Sequence, residues 1–318
     1  MRELTIQKND ADQRLDRFLG KAVPLLPASL AQKYIRLKRI KVNGARAERD
    51  YRLCEGDRLQ LYLNDEFFEA PSEENVYLTI VNPRLHIIYE DENIMLLHKP
   101  AGMVVHADEG EKVNTLVNHL LAYLYQKREW KPREENAFTP ALCNRIDRNT
   151  GGIVIAAKNA EALRVLNEKI RERELSKFYL CICLGRPEPP KGRIECFLRK
   201  DSKTNTVRVY HHPVPDGRSA VTLYETLETR DRLSLVEVEL LTGRTHQIRA
   251  SFADMGHPLL GDGKYGVGSV NRRYGETQQA LYSYRLRFDF PTDAGILNYL
   301  RGREFIADEV PFRRKYFG

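Results

Sequence analysis

Hydrophobic and polar positions change rhythm several times along the chain. In "DQRLDRFLGK", Leu15, Phe18 and Leu19 recur at helical spacing, which predicts an amphipathic helix with Asp16 on its wet face. "SLAQKYIRLKR" predicts a second helix. Ser29 opens it, and Gln32 follows three residues on, in the form of a capping box. "IKVNG" predicts a short strand running into an Asn43-Gly44 turn. In "GDRLQLYLN", Leu59, Leu61 and Leu63 alternate with Arg58, Gln60 and Tyr62, the pattern of a half-buried strand. These elements form one small α/β module over residues 12–63. "NDEFFEAPSEEN" is acidic and irregular and contains Pro71, so residues 64–84 read as a linker.

A larger domain is expected over residues 85–318. "LHIIYEDENIMLL" predicts a hairpin around Asp91–Asn93, and "KPAGMVVH" a loop. "NTLVNHLLAYLYQ" predicts a helix with Leu116, Leu120 and Leu124 in register. "NAEALRVLNEKIRER" predicts another, capped by Asn159, with Leu163, Leu166 and Ile170 inward. From Phe178 onward strands dominate: "FYLCICL", "SAVTLYETLE", "LSLVEVELL" and "LYSYRLRFDF". A helix ended by Gly256 falls in "GRTHQIRASFADMG". Strand runs with a few helices between them predict an α+β domain with a mixed or antiparallel sheet and flanking helices.

Composition narrows the class. Hydrophobic residues make up 42% of 318, enough for a sizeable core. No stretch approaches the ~18 uncharged apolar residues of a membrane span, and the charged N-terminus has no signal-peptide core. The expectation is a cytoplasmic protein without a membrane partner, and a monomer. The five cysteines form no CxxC pair, and the histidines show no HxxxH or HExxH spacing. Neither a metal nor a disulfide framework is expected. The net charge of +7 favours a polyanionic partner. Lys33, Arg36, Lys38, Arg39 and Lys41 form an acid-free basic run, with Tyr34, Ile35, Leu37 and Ile40 as its apolar face. Such a run is either a solvated cationic face or a track for phosphates, aimed by the Asn43 turn.

One carboxylate stands apart. In "NRIDRNTGG", Asp147 lies between Arg145 and Arg148 and just before the apolar, glycine-bounded run "GGIVIAAK", which reads as a buried strand. The similar "QRLDRFL" around Asp16 sits in a helical rhythm; Asp147 sits in a loop held against a strand, where reactive groups concentrate.

"NRIDRNTGG", "KFYLCICLG" and "LTGRTHQIR" together resemble the motifs of the RluA-type RNA pseudouridine synthases. "HKPAGMVVH" and "GHPLLGDGKYG" are similar to further segments of that family, in the same order. The resemblance runs from about Leu85 to Phe290. The module at 12–63 resembles the alpha-L, ribosomal-protein type of RNA-binding domain. The resemblance implies an isomerase of uridine within structured RNA, most often ribosomal, working without cofactor or metal. The N1–C1′ bond breaks, the uracil turns, and C5 bonds to C1′. Asp147 then corresponds to the catalytic carboxylate, as nucleophile at C1′ or as base on the sugar. Arg249 corresponds to its basic partner and Tyr179 to the tyrosine that packs on the uracil. Arg145 corresponds to the arginine that fills the gap left by the flipped base. Lys33, Arg36, Lys38, Arg39, Lys41 and Asn43 are the RNA contacts expected of the module. The chain departs from the family pattern at Asn144 (usually His), Ile146 (usually Leu) and Gly151 (usually Ser). Asn144 loses a titratable ring but keeps hydrogen-bonding capacity. The alternative reading is an RNA-binding or ribosome-assembly protein of the same fold without activity. A glycosidase would want two paired acids, and no second acid accompanies Asp147 in these motifs.

Overall fold

The structure, a computed structural model, describes residues 1–68, 72–132 and 134–318. The chain divides into two compact units. The first comprises Met1–Arg84, Val117–Ala141 and Ala157–Arg164. The second comprises Leu85–Leu116, Leu142–Ala156 and Val165–Gly318.

In the first unit, β1 (Arg2–Thr5), β4 (Arg58–Leu61), β2 (Ile40–Val42) and β3 (Ala45–Arg46) form an antiparallel sheet in that order. Ile40, Val42, Leu59 and Leu61 bury one face against Leu15, Phe18 and Leu19 of α1 (Leu15–Ala22) and Ala31 and Ile35 of α2 (Ala28–Arg36). Ser29 does not cap α2. The helix begins one residue earlier, after Pro27, without a side-chain cap, because the proline ring already holds the backbone at the helix entrance.

The basic run is not one helix either. Lys38 takes a left-handed φ of 60°, and the amides of Lys38 and Arg39 bond back to the carbonyls of Ile35 and Tyr34. This Schellman closure ends the helix. Lys33 and Arg36 therefore lie on α2, Lys38 and Arg39 in the turn, and Lys41 on β2, while Leu37 is exposed. Asn43 (φ 51°) and Gly44 (φ 77°) make the expected two-residue hairpin. The Asn43 side chain is engaged within the module: Nδ2 donates to Asp57 Oδ1 at 2.7 Å, and Oδ1 accepts the Arg58 amide at 2.8 Å.

The expected linker falls within this unit; its residues 69–71 lie outside the described residues. Ser72–Thr79 forms a 3-10 helix in place of the irregular chain predicted there, and Tyr77 packs against Trp130 with ring centroids 5.1 Å apart.

The rest of the chain supplies β5 (His86–Glu90), β6 (Ile94–Lys99), α3 (Leu116–Gln126), β7 (Ala141–Leu142), β8 (Gly151–Ala157), α4 (Ala160–Arg171) and β9 (Leu175–Leu184). It continues with β10 (Lys191–Asp201), β11 (Thr206–Tyr210), β12 (Arg218–Arg230), β13 (Leu233–Leu240) and α5 (Gln247–Asp254). α6 (Gly268–Tyr274), β14 (Leu281–Phe288), β15 (Glu304–Ile306) and α7 (Pro311–Phe317) complete it. The large sheet runs β11-β10-β12-β13-β9-β14-β8-β6-β5, with β15 beside β14 and β7 beside β8. The α+β expectation holds. β5 pairs antiparallel with β6, β10 with β11 and β12, β12 with β13, β13 and β14 with β9, and β15 with β14, whereas β14 and β8 are parallel. β10 and β11 escape sequence reading because charges mask their alternation: Cys196, Leu198 and Val207 are buried in a small core beside Ala220 and Ala250, with Val209 partly buried against it. Among the described residues no helix is long and apolar enough to cross a membrane.

The parallel pairing depends on two glycines. Gly151 lies opposite Tyr282 and Gly152 opposite Ser283. A Cβ on Gly151 would sit 2.4 Å from the Tyr282 ring, and one on Gly152 would sit 2.1 Å from the Ser283 carbonyl oxygen. Gly152 also has a φ of 115°, open only to glycine. The Tyr282 ring thus fills the space that the family's serine would need at position 151.

Gly152→Ala is expected to lower the unfolding free energy by roughly 3 kcal/mol or more. Gly20→Ala, in α1 with nothing within 4 Å of the added carbon, is expected to raise it by roughly 0.5–1 kcal/mol. Thermal and denaturant unfolding of the two variants beside the parent chain measures both. Equal stabilities would remove the close-approach argument for β8 and β14.

Candidate active site

The loop before β8 is fixed at both ends. The Cys143 amide donates to the Ile155 carbonyl at 2.7 Å, and the Ile155 amide donates to the Asn144 side-chain oxygen at 2.8 Å. Asn144, the departure from the family pattern, therefore anchors the loop through an uncharged acceptor. Ile146 is buried, and the Thr150 amide closes a turn onto the Asp147 carbonyl at 3.0 Å. Arg148 turns away from Asp147 and pairs with Asp108 at 2.8 Å. Its carbonyl accepts from Lys99 at 2.9 Å, while the same ammonium donates to the carbonyls of Met103 at 2.7 Å and Pro100 at 3.0 Å. Burial pushes Lys99 down to about 7, yet three acceptors match the three protons of the charged form. Lys99 thus ties the "KPAG" loop to the Asp147 loop.

Arg249, on the first turns of α5, is buried and holds the site together. Its Nε and Nη2 donate to Asp262 Oδ2 at 2.7 Å and Oδ1 at 2.9 Å, a two-point fork. Its Nη1 donates to Asp147 Oδ2 at 2.8 Å. Asp147 Oδ1 carries no hydrogen bond among the described residues. Burial opposes the Arg249 charge, but Asp262 and Asp147 outweigh it and hold the guanidinium protonated. Burial likewise opposes the Asp262 charge. Arg249, helped by the amides of Lys264 and Tyr265, keeps that carboxyl below the usual range. The arginine expected beside Asp147 is present, with a second acid behind it.

Asp147, Arg249, Tyr179 and Arg145 all line one cleft of about 680 Å³, together with His246 and Lys177. Tyr179 sits on β9, opposite Val238 and Ser283. Burial pushes its phenol up to about 12, so the ring presents a neutral aromatic surface. Arg145 is exposed and has no acid partner among the described residues. Lys177, two residues before Tyr179 on β9, is pushed down by burial with no opposing charge. His246 stands at the N-terminus of α5 with Nε2 3.8 Å from Asp147 Oδ2. Among the described residues no group of three or more His, Cys, Asp or Glu is arranged to hold a metal ion. The cleft offers one carboxylate with a free oxygen, an aromatic wall and several cations: the equipment to take in an anionic, aromatic-bearing ligand and act on it with a single acid.

The basic run Lys33–Lys41 belongs to the first unit and is no part of this cleft's lining. Four residues that matter here carry weak sequence signals. Asp262 lies in "GHPLLGDGKYG" and Lys177 in "KFYLCICLG", but nothing in their spacing ties Asp262 to Arg249 or buries a lysine. Lys99 and His246 lie in quoted motifs whose charges read equally well as surface.

Comparison with known proteins matches two stretches of the chain. Residues 93–254 match the sequence profile described as RNA pseudouridylate synthase, and residues 13–59 match that of the S4 domain. An uncharacterized RNA pseudouridine synthase of Mycoplasma genitalium is 32% identical over 89% of this chain and 88% of its own length. The ribosomal large subunit pseudouridine synthase C of Vibrio parahaemolyticus is 30% identical over 91% and 88%. The solved structure of human RNA pseudouridylate synthase domain containing 4 superposes with a TM-score of 0.54 at 20% identity, over 71% of this chain and 89% of that one; that likeness concerns the fold.

The shared arginine makes Asp262 a testable support. Asp262→Asn leaves a buried guanidinium short of one countercharge, and a loss of roughly 3 kcal/mol of stability is expected. The pH dependence has a definite sign. The folded Asp262 carboxyl lies below its ordinary 3.8, so its stabilising contribution is complete above that value. The contribution is lost as pH falls through the lower, folded value. Below about pH 4 the parent chain should therefore lose stability more steeply than Asp262→Asn. Parallel acid-unfolding curves would show that Asp262 is not the supporting acid.

Proposed function

The chain belongs to the RNA pseudouridylate synthase family and carries an S4 domain at its N-terminus, and on that premise we propose that Asp147 is the catalytic carboxylate acting on uridines of ribosomal RNA. The observation that carries this reading is the Asp147–Arg249 pair on the lip of a cleft walled by Tyr179. The ribosomal assignment is supported by the relatives named ribosomal large subunit pseudouridine synthase C.

The target base must first leave its stack, at a cost of a few kcal/mol, and find an apolar surface. Tyr179 supplies that surface, and Arg145, exposed and without an acid partner among the described residues, enters the helix where the base was. Asp147 then acts at the ribose through Oδ1, while Arg249 holds Oδ2. Attack at C1′ and removal of a sugar proton both need the carboxylate held in one orientation, and the Arg249 hydrogen bond aims it. Once the N1–C1′ bond has broken, the uracil turns against Tyr179 and C5 bonds to C1′. The C5 proton leaves, and one proton returns to N1, so the isomerisation consumes nothing.

We assign capture of the folded RNA to residues 12–63 and the chemistry to residues 85–318, in a cytoplasmic monomer. Lys33, Arg36, Lys38, Arg39 and Lys41, spread over a helix end, a turn and a strand, are the contacts assigned to the RNA phosphates. Asn43 shapes the turn beside them.

Asp147→Asn is expected to abolish pseudouridine formation while RNA affinity stays within about 2-fold; Asp16→Asn, the look-alike site on α1, should leave turnover on a minimal substrate near the parent rate. Mapping pseudouridine in total RNA from cells with and without the gene identifies the target. Persistent turnover by purified Asp147→Asn would refute the assignment, and a map with no ribosomal site lost would refute the substrate.

Neutralising the five basic residues should flatten the salt dependence of binding to a large folded RNA, since each phosphate contact adds about 0.7–0.9 to the slope of log affinity. Chemistry on a short RNA should be spared. Identical slopes for parent and variant across a salt series would make the run a solvated face.

A further inference from the structure

His246 stands beside Asp147 but outside the arginine fork. Its backbone is left-handed, φ 52° and ψ 21°, in the turn that opens α5. Its ring is fixed by Tyr265. The Tyr265 hydroxyl oxygen accepts the Val207 amide at 2.7 Å and lies 2.9 Å from His246 Nδ1. A backbone amide only donates, so the phenol proton is left for Nδ1. With Nδ1 accepting, the ring hydrogen belongs on Nε2, a tautomer assigned from this network. Burial pushes the ring's titration down to about 4, which keeps it neutral.

Nε2 then presents an N–H toward Asp147 Oδ2 across 3.8 Å, with the His246 side chain only 8% exposed. A direct bond needs about 3 Å. Nε2 has no other partner among the described residues. The Nε2–H and the carboxylate oxygen thus stand side by side on the cleft wall, across a gap that no direct bond closes. An oxygen seated against both from the cleft side must accept from the one and donate to the other. On a nucleotide, phosphate oxygens and uracil carbonyls only accept, and the uracil N3–H only donates. The sugar hydroxyls do both. The hydroxyl next to C1′ is the 2′-hydroxyl.

We propose that His246 is a positioning residue that, together with Asp147, clasps the 2′-hydroxyl of the target uridine. Nε2–H donates to that oxygen, which donates its own proton to Asp147 Oδ2. The proposal rests on the reading of Asp147 as the group acting at the ribose. It fixes the sugar and leaves the base free to turn. It also gives the site a means of preferring a ribonucleotide to a deoxyribonucleotide, because the 2′-hydroxyl is what separates the two.

The test is a cycle between residue 246 and the substrate. The stem-loop around the mapped uridine is synthesised with uridine or 2′-deoxyuridine at that one position. Half-saturating concentration and limiting rate are measured under single turnover for the parent enzyme, His246→Asn and His246→Gln. Asparagine tolerates the left-handed backbone but is too short to reach the gap; glutamine carries an N–H that reaches it. For the parent enzyme, loss of the 2′-hydroxyl should raise the half-saturating concentration roughly 10-fold or more. For His246→Asn the same loss should cost less than about 3-fold, and His246→Gln should fall between. A merely structural histidine would weaken both substrates alike, so equal 2′-deoxy penalties in all three enzymes overturn the proposal while turnover of the uridine stem-loop leaves the catalytic reading standing. An enzyme that modifies neither stem-loop overturns both.

Discussion

The second unit depends on one buried guanidinium. Arg249 is fixed by two bonds to Asp262 and spends its remaining nitrogen on Asp147. Removing a buried cation from between two acids leaves charges without compensation, at a cost of roughly 3–5 kcal/mol. Since the arginine is locked from behind, its third bond sets where the Asp147 carboxylate stands. Asp262 is in turn held by the amides of Lys264 and Tyr265. The order of dependence runs from a loop after α5, through α5, to the loop before β8.

Around that axis the remaining contacts are backbone arrangements. Lys99 joins two loops by carbonyls alone, and Asn144 joins a loop to a strand by one amide. Gly151 and Gly152 let β14 lie against β8 at a distance no side chain permits. Tyr179 and Asp147 come together because β9 and β8 flank the same strand. Rigid elements thus hold Asp147 and Tyr179, while Arg145, one of the cleft's exposed cations, is open to a ligand.

Periodicity gave most helices and the long strands, since "QRLDRFL", "NTLVNHLLAYLYQ" and "LSLVEVELL" bury one face and say so in their spacing. It carried the second helix on to Arg39, past its end at Arg36, because a left-handed residue such as Lys38 leaves no mark on hydrophobic rhythm. It also missed β10 and β11, a hairpin whose charged positions mask the alternation. The site was legible as an ordered set of motifs, and Asp147, Tyr179 and Arg249 were singled out there. Asp262 was not, because a buried acid and a loop acid look the same until the partner arginine is placed. His246 could not be read either: its interest lies in which ring nitrogen carries the hydrogen, and only Tyr265 and Val207 together decide that.

The place of β14 in the large sheet has a consequence for the order of events during synthesis. β14 lies between β9 and β8, yet it is made after both, and after α5. A nascent chain that has delivered Asp147 and Arg249 still lacks both Asp262 and the strand that brings β8 alongside β9. Its earlier strands must wait with a gap between them. Closing contacts so far apart in sequence is slow compared with local helix formation. The cleft therefore matures only once nearly the whole chain has left the ribosome, whereas the first four strands can pair long before. An RNA-holding module ready ahead of its chemistry means that a growing chain is able to engage RNA before it is able to alter it.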